Sequence, residues 1–138
     1  MAQQQKQGSQ SILIEVGPGE LIDKITILRI KSERMTDAAK LHNVRHELEV
    51  LNAARDKALP KSAELDRLEG DLKAVNEDLW VIEDDIRQCE ADKDFGAKFV
   101  ELARSVYKQN DKRAAIKKEI NLLTGSAIIE EKSYTEFD

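Results

Sequence analysis

The chain has 138 residues, 36% of them charged and only 4% aromatic, and carries a formal net charge of −5. That length supports one hydrophobic core, and the composition is that of long helices rather than of a sheet protein. The negative charge excludes a general affinity for nucleic acid or anionic membranes, and no apolar run approaches the roughly 20 residues that span a bilayer.

Residues 1–10, "MAQQQKQGSQ", are polar and Gln-rich, with no apolar stretch of the kind found in a signal peptide. They are expected to form a disordered tail ahead of a single helical domain over 11–138. Ser11 to Val16, "SILIEV", has the β-branched residues of a short strand. "GPGE" then opens a helix. Pro18 loses nothing at the first helical position, and Glu20 places a carboxylate in the first turn, where the dipole favours it. The Gly17-Pro18-Gly19 loop offers backbone N–H groups to an anion, although it lacks the lysine and Ser/Thr of a P-loop. Helix one runs to about Met35 and is apolar on more than one side, at Leu21, Ile22, Ile25, Ile27, Leu28 and Ile30. Such a helix needs several covering neighbours, so it is expected to be the central element.

Thr36 or Asp37 is placed to cap helix two. Its apolar positions Leu41, Val44, Leu48, Leu51 and Ala58 keep a three–four spacing interrupted once, by Arg55. Pro60 marks the junction to helix three, where it is tolerated in a first turn but not in an interior. Helix three is the clearest signal: Leu65, Leu68, Leu72, Val75, Leu79, Ile82, Ile86 and Cys89 follow a heptad without a miss. "EADKDF" supplies a turn with an aspartate cap. Helix four then runs from about Asp94 to Thr124, with Gly125 as its stop. At about 1.5 Å per residue, helices three and four are each on the order of 45 Å long and form an antiparallel hairpin. Ile128 and Ile129 in the tail are positioned to pair with "ILIEV" as a two-stranded ribbon, given packing support.

Helix four breaks its own pattern. Phe95, Phe99, Leu102 and Val106 lead to Ile116, Ile120 and Leu123, yet the two seam positions between them are Gln109 and Arg113. The hairpin alignment brings Gln109 and Asn110 near Asn76, and Arg113 beside Leu72 and Glu69. Arg29 and Ser32 interrupt helix one at a matching level. Buried amides and guanidiniums need partners, since an unmet buried group costs about 1–3 kcal/mol. One reading is a closed layer that fixes register. Another is a ligand pocket in the bundle, and the third is a kink facing solvent at Asn110–Asp111. The residues of the candidate layer or pocket are Arg29, Asn76, Trp80, Arg104, Tyr107, Gln109, Asn110 and Arg113.

Charge divides unevenly along the hairpin. Glu77 to Asp94 holds eight acids and two bases, while Arg104 to Glu119 holds six bases and two acids. Either neighbouring helices attract each other, or the basic stretch meets an anionic partner. His42 and His46 share a helix face but lack the glutamate of a zinc-protease motif, since Asn43 follows His42. Cys89 is the only cysteine and sits on the apolar seam, which reads as packing, excludes an intrachain disulfide and favours the cytoplasm. The acid-x-x-acid pairs Glu20/Asp23 and Asp66/Glu69 have the spacing used by all-helical nucleotide pyrophosphohydrolases, but on helices without a clear shared cavity. No metal or cofactor is expected.

"GELIDKITILRIKSERM", "VNEDLWVIEDDIR", "LARSVYKQNDKRAAIKKEIN" and "GSAIIEEKSY", in that order, resemble a bacterial family known as a domain of unknown function. The resemblance covers nearly everything after the first ten residues. It implies a bacterial origin and an association with cell-surface polysaccharide genes and glycosyltransferases, and it carries no catalytic residues. "ELIDKITILRIKSER" alone is similar to the first helix of the all-helical chorismate mutases, which would assign Arg29, Gln109 and Arg113 to a dicarboxylate. The preceding strand and the "GSAIIEEKSY" tail depart from that pattern.

These readings converge on an all-α antiparallel helical bundle with a long coiled-coil-like hairpin and a minor β ribbon from the termini. The expected role is a non-catalytic binding or scaffold protein, self-associated as a two-fold dimer because the long seam exceeds what two shorter helices cover. A protein partner or an anionic small molecule is the expected ligand. The rival class is a small all-α enzyme acting on an anionic metabolite.

Overall fold

The computed structural model describes residues 10–137 and is all-α, with four helices. They are α1 (Pro18–Arg34), α2 (Ala38–Ala58), α3 (Ala63–Ala91) and α4 (Ala97–Thr124). Most of the expected tail, residues 1–9, lies outside the described residues.

Local chemistry sets the boundaries. Pro18 occupies the start of α1, and the Gly17 carbonyl accepts from the Glu20 and Leu21 N–H groups. Asp37 caps α2 through the Lys40 N–H at 2.9 Å, and Ser62 caps α3 through the Leu65 N–H at 3.0 Å. Pro60 therefore lies between the two helices rather than in the first turn of α3. At the end of α3, Lys93 adopts φ 55° and the Asp94 N–H reaches back to the Cys89 carbonyl. Asp94 then accepts from the Gly96 N–H, closing the turn instead of capping the helix, so α4 starts at Ala97. Gly125 ends α4 in the left-handed conformation, and the Ser126 N–H bonds the Asn121 carbonyl.

The helices α3 and α4 pack along each other as an antiparallel pair, and α1 lies against both of them and against α2. Ile22, Leu65, Leu68, Leu72 and Ile120 form the core, with Leu59 and Ile116 at its edge. Full burial of such a side chain is worth about 1.5–3 kcal/mol. Ile22, Ile25, Thr26 and Ile30 are all sealed, which makes α1 the central element that its apolar circumference demands. By contrast, the body of α2 packs on α1, and α2 buries only Val44. Along α3 the seam is buried as far as Val75 and Asn76. Beyond that point Leu79, Ile82 and Ile86 are half-buried, with Cys89 enclosed again near the turn.

The expected β ribbon does not form: no strand occurs among the described residues. Ile12, Leu13 and Ile14 stand in solvent, Leu13 at 96% exposure. The two terminal segments do meet at their bases, since a methyl group added to Gly17 would lie 3.1 Å from the Ile128 carbonyl oxygen. A lone two-stranded pair is marginal without packing support, and the C-terminal segment has other bonds. Glu130 pairs with Lys117 at 3.1 Å, Glu131 with Lys118 at 3.4 Å and Lys132 with Asp111 at 2.8 Å. Phe137 meets Tyr107 edge to face at a centroid distance of 5.2 Å. The tail is thus strapped along α4. No helix among the described residues is long and apolar enough to cross a membrane.

Candidate functional site

α4 stays helical through Asn110 and Asp111, so the break in its apolar pattern is not a kink in solvent. Arg113 turns its Nε to Asp23 Oδ1 at 2.9 Å and its Nη2 to Asp23 Oδ2. This two-point geometry is the favourable one for a guanidinium and a carboxylate. Asp23 is 1% exposed. From α3, Asn76 donates both hydrogens of Nδ2, one to Asp23 Oδ1 and one to Thr26 Oγ1, each at 2.9 Å. Thr26 in turn donates to the Asp23 carbonyl at 2.8 Å. Three helices thus share one buried carboxylate. A buried charge is tolerated only when paired and hydrogen-bonded, and this one is both.

Lys117, one turn further along α4, stands 2.8 Å from Glu20 and 4.0 Å from Asp23 Oδ2. Burial alone would lower its pKa, but the hydrogen bonds it donates to Glu20 and Glu130, with the charges of Asp23 and Glu20, outweigh burial and hold it above the ordinary lysine range. The Asp23 hydrogen bonds likewise keep Arg113 more firmly protonated than a free guanidinium, against the opposing effect of burial. A second buried carboxylate, Glu69 on α3, takes Arg29 of α1 at 2.8 Å and Arg55 of α2. Arg55 is the residue that interrupts the apolar spacing of α2.

Among the eight candidate residues, Asn76, Asn110 and Arg113 come together, with Asn110 Oδ1 accepting from Arg113 Nη1 at 3.5 Å. Trp80 lies beside them along a groove of about 670 Å³, bordered also by Ile27, Ile30, Leu79 and Val106. Arg29 is held apart by Glu69. Gln109 bonds Asp78 at 2.8 Å across the exposed side of the hairpin. Arg104 and Tyr107 face a space of about 1130 Å³ between α4 and the C-terminal segment. A dicarboxylate site built from Arg29, Gln109 and Arg113 would need the three free and adjacent, whereas each already holds a different acid. Of the acid-x-x-acid pairs, Glu20, Asp23 and Glu69 are each matched by cations in the same way.

The centre of the layer, Asp23, escapes the reading of the seam. The available signal is that a guanidinium on an apolar seam requires a counter-charge, and Asp23 shares a helical stripe with Thr26 and Ile30. The Gly17–Gly19 loop also has a different purpose from anion capture. The Gly19 N–H donates to Asn121 Oδ1 at 2.8 Å, and a Cβ on Gly19 would stand 2.5 Å from the Lys117 carbonyl oxygen. Glycine there lets α1 approach the α4 backbone.

No curated protein and no solved structure matches the chain. A family model does match, over residues 12–137, and the chain belongs to that family, the family of unknown function DUF6165.

Proposed function

We propose that the chain is a non-catalytic helical binding or scaffold protein that self-associates through the distal half of the α3–α4 hairpin. One observation carries the reading: the buried carboxylates are neutralised inside the fold, while the seam beyond Asn76 is only half covered. Asp23 and Glu69 are neutralised by Arg113, Arg29 and Arg55, so their chemistry goes to holding helices together. Leu79, Ile82 and Ile86 stay half-buried, and Val81, Phe95 and Val100 are exposed on the same half of the hairpin. A two-fold pairing would also set the acidic stretch of α3 in one copy against Arg104 and Lys108 on α4 of the other, a contact that repeats itself by symmetry. The setting in bacterial cell-surface polysaccharide metabolism rests on the sequence resemblance alone, as does a cytoplasmic location on the single cysteine.

Sedimentation equilibrium at tens of micromolar tests the association. The expected species is a dimer, and Val100→Glu, on the exposed side of α4, shifts it to monomer with the helix content unchanged. A monomer for the unaltered chain at that concentration refutes self-association.

A further inference from the structure

The groove between α1, α3 and α4 has a lining of two chemistries. Ile27, Ile30, Leu79, Trp80 and Val106 are apolar walls, and Asn76, Asn110 and Arg113 are polar. Asn76 is 6% exposed, and both of its Nδ2 hydrogens are spent on Asp23 and Thr26. That pairing fixes the amide and turns Oδ1 away from the Asp23 carboxylate. No hydrogen bond among the described residues reaches Oδ1, yet no buried side-chain oxygen or nitrogen lacks a partner there. The Oδ1 atom therefore keeps some solvent contact, on a residue that lines the groove, and is an acceptor held in place by the bonds of its own amide. Beside it, Asn110 makes one side-chain bond among the described residues, a long one in which its own oxygen accepts from Arg113, so none of them occupies its Nδ2 donors. Arg113 keeps Nη1 on the same side, with Nε and Nη2 committed to Asp23.

Charge decides which ligands fit. The guanidinium is already neutralised by Asp23, and the rim carries Glu83 and Asp84 with Arg87, which is itself paired to Glu83 at 3.0 Å. An anion gains nothing here and meets two carboxylates on entry. An uncharged, flat ligand with an N–H beside a carbonyl satisfies the fixed acceptor and the neighbouring donors, while its faces rest on the apolar walls. We propose that this groove is a binding site for an uncharged planar cyclic amide or imide. In it Asn76 Oδ1 receives the ligand N–H, and Asn110 Nδ2 and Arg113 Nη1 donate to the ligand carbonyls. The site goes beyond the scaffold reading and does not depend on it, because it uses only side chains within one copy.

The test uses uracil as the probe, with 1,3-dimethyluracil as the same ring lacking both N–H donors. Trp80 is the only tryptophan in the chain, so its single indole N–H resonance reports on the groove. A ligand of this size is expected to bind with a dissociation constant on the order of 1 mM. Loss of the N–H is expected to weaken binding about 10-fold, the equivalent of one hydrogen bond. Val106→Phe adds bulk to the apolar lining and leaves Asn76, Asn110 and Arg113 themselves unaltered, and is expected to abolish the Trp80 shift while the remaining amide spectrum keeps its dispersion. Equal binding of the two rings overturns the proposal, as does an indole signal unmoved by uracil at several millimolar. Sedimentation of the same samples separates this result from the oligomer question, since uracil binding with a monomeric chain supports the site and refutes only self-association.

Discussion

Asp23 and Glu69 are both buried carboxylates, yet they are held differently. Asp23 rests on one guanidinium, Arg113, with an amide from Asn76 and the Lys117 ammonium at the edge of contact. Glu69 rests on two guanidiniums from two helices, Arg29 and Arg55. The first joins α1, α3 and α4, which already share a packed core. The second is where α2 reaches α3, because the body of α2 lies on α1 only. The contrast teaches that a buried charge with one strong partner fixes the register of a core. A charge with two partners acts as a clamp that survives the loss of either. One cluster should be brittle and the other tolerant.

The largest expected effect is therefore Arg113→Met. Removing one member of a buried pair costs about 3–5 kcal/mol. Arg113 is partly exposed and Lys117 stands close to the stranded carboxylate, so a loss of about 3 kcal/mol is expected in urea unfolding. A neutral or stabilising result would break the comparison at its stronger side.

Gly19→Ala comes next. Its new methyl group would press on the Lys117 backbone carbonyl, which cannot rotate away, so α1 must move off α4 at the Asp23 end. Overpacking of this kind typically costs 1–3 kcal/mol, and about 2 kcal/mol is expected here. Amide exchange in the variant should quicken around Asp23 and Arg113 and stay unchanged around Arg55 and Glu69. Uniform acceleration would mean that the two clusters are not independent.

The smallest effect belongs to Arg55→Met. Arg29 still neutralises Glu69, and methionine still packs in the gap in the apolar row of α2, so a loss of about 1 kcal/mol is expected. A loss equal to that of Arg113→Met would erase the distinction between one partner and two.

Much of this arrangement is legible in the residues themselves. The uninterrupted heptad of α3 gives that helix its buried stripe, and the all-round apolarity of Ile22 to Ile30 gives α1 its central place. The interruptions are equally informative: Arg113 and Arg55 stand at positions where spacing asks for oil, and both reach buried acids. What periodicity cannot reveal is which acid. Asp23 sits in the second turn of α1, where a carboxylate is ordinary on the surface, and only the rotation of α1 against α4 turns it inward. Glu69 is hidden in the same way among the charges flanking the α3 seam. Gln109 shows the opposite failure, since a small helical drift moves it out of the layer and onto Asp78. The "SILIEV" segment has strand-like residues but forms no strand among the described residues, and the segment opposite is held to α4 by ion pairs. Gly19 reads as a loop glycine, and only the approach of the α4 backbone explains it.

The most direct measurement is the unfolding free energy of four chains: the original, Arg113→Met, Asp23→Leu and the double variant. If Asp23 and Arg113 exist chiefly to neutralise each other inside the core, each single change should be costly. The double change should then recover at least about 2 kcal/mol relative to their sum, because no lone charge remains buried. Strict additivity, with the double variant as unstable as the two losses combined, would contradict the account.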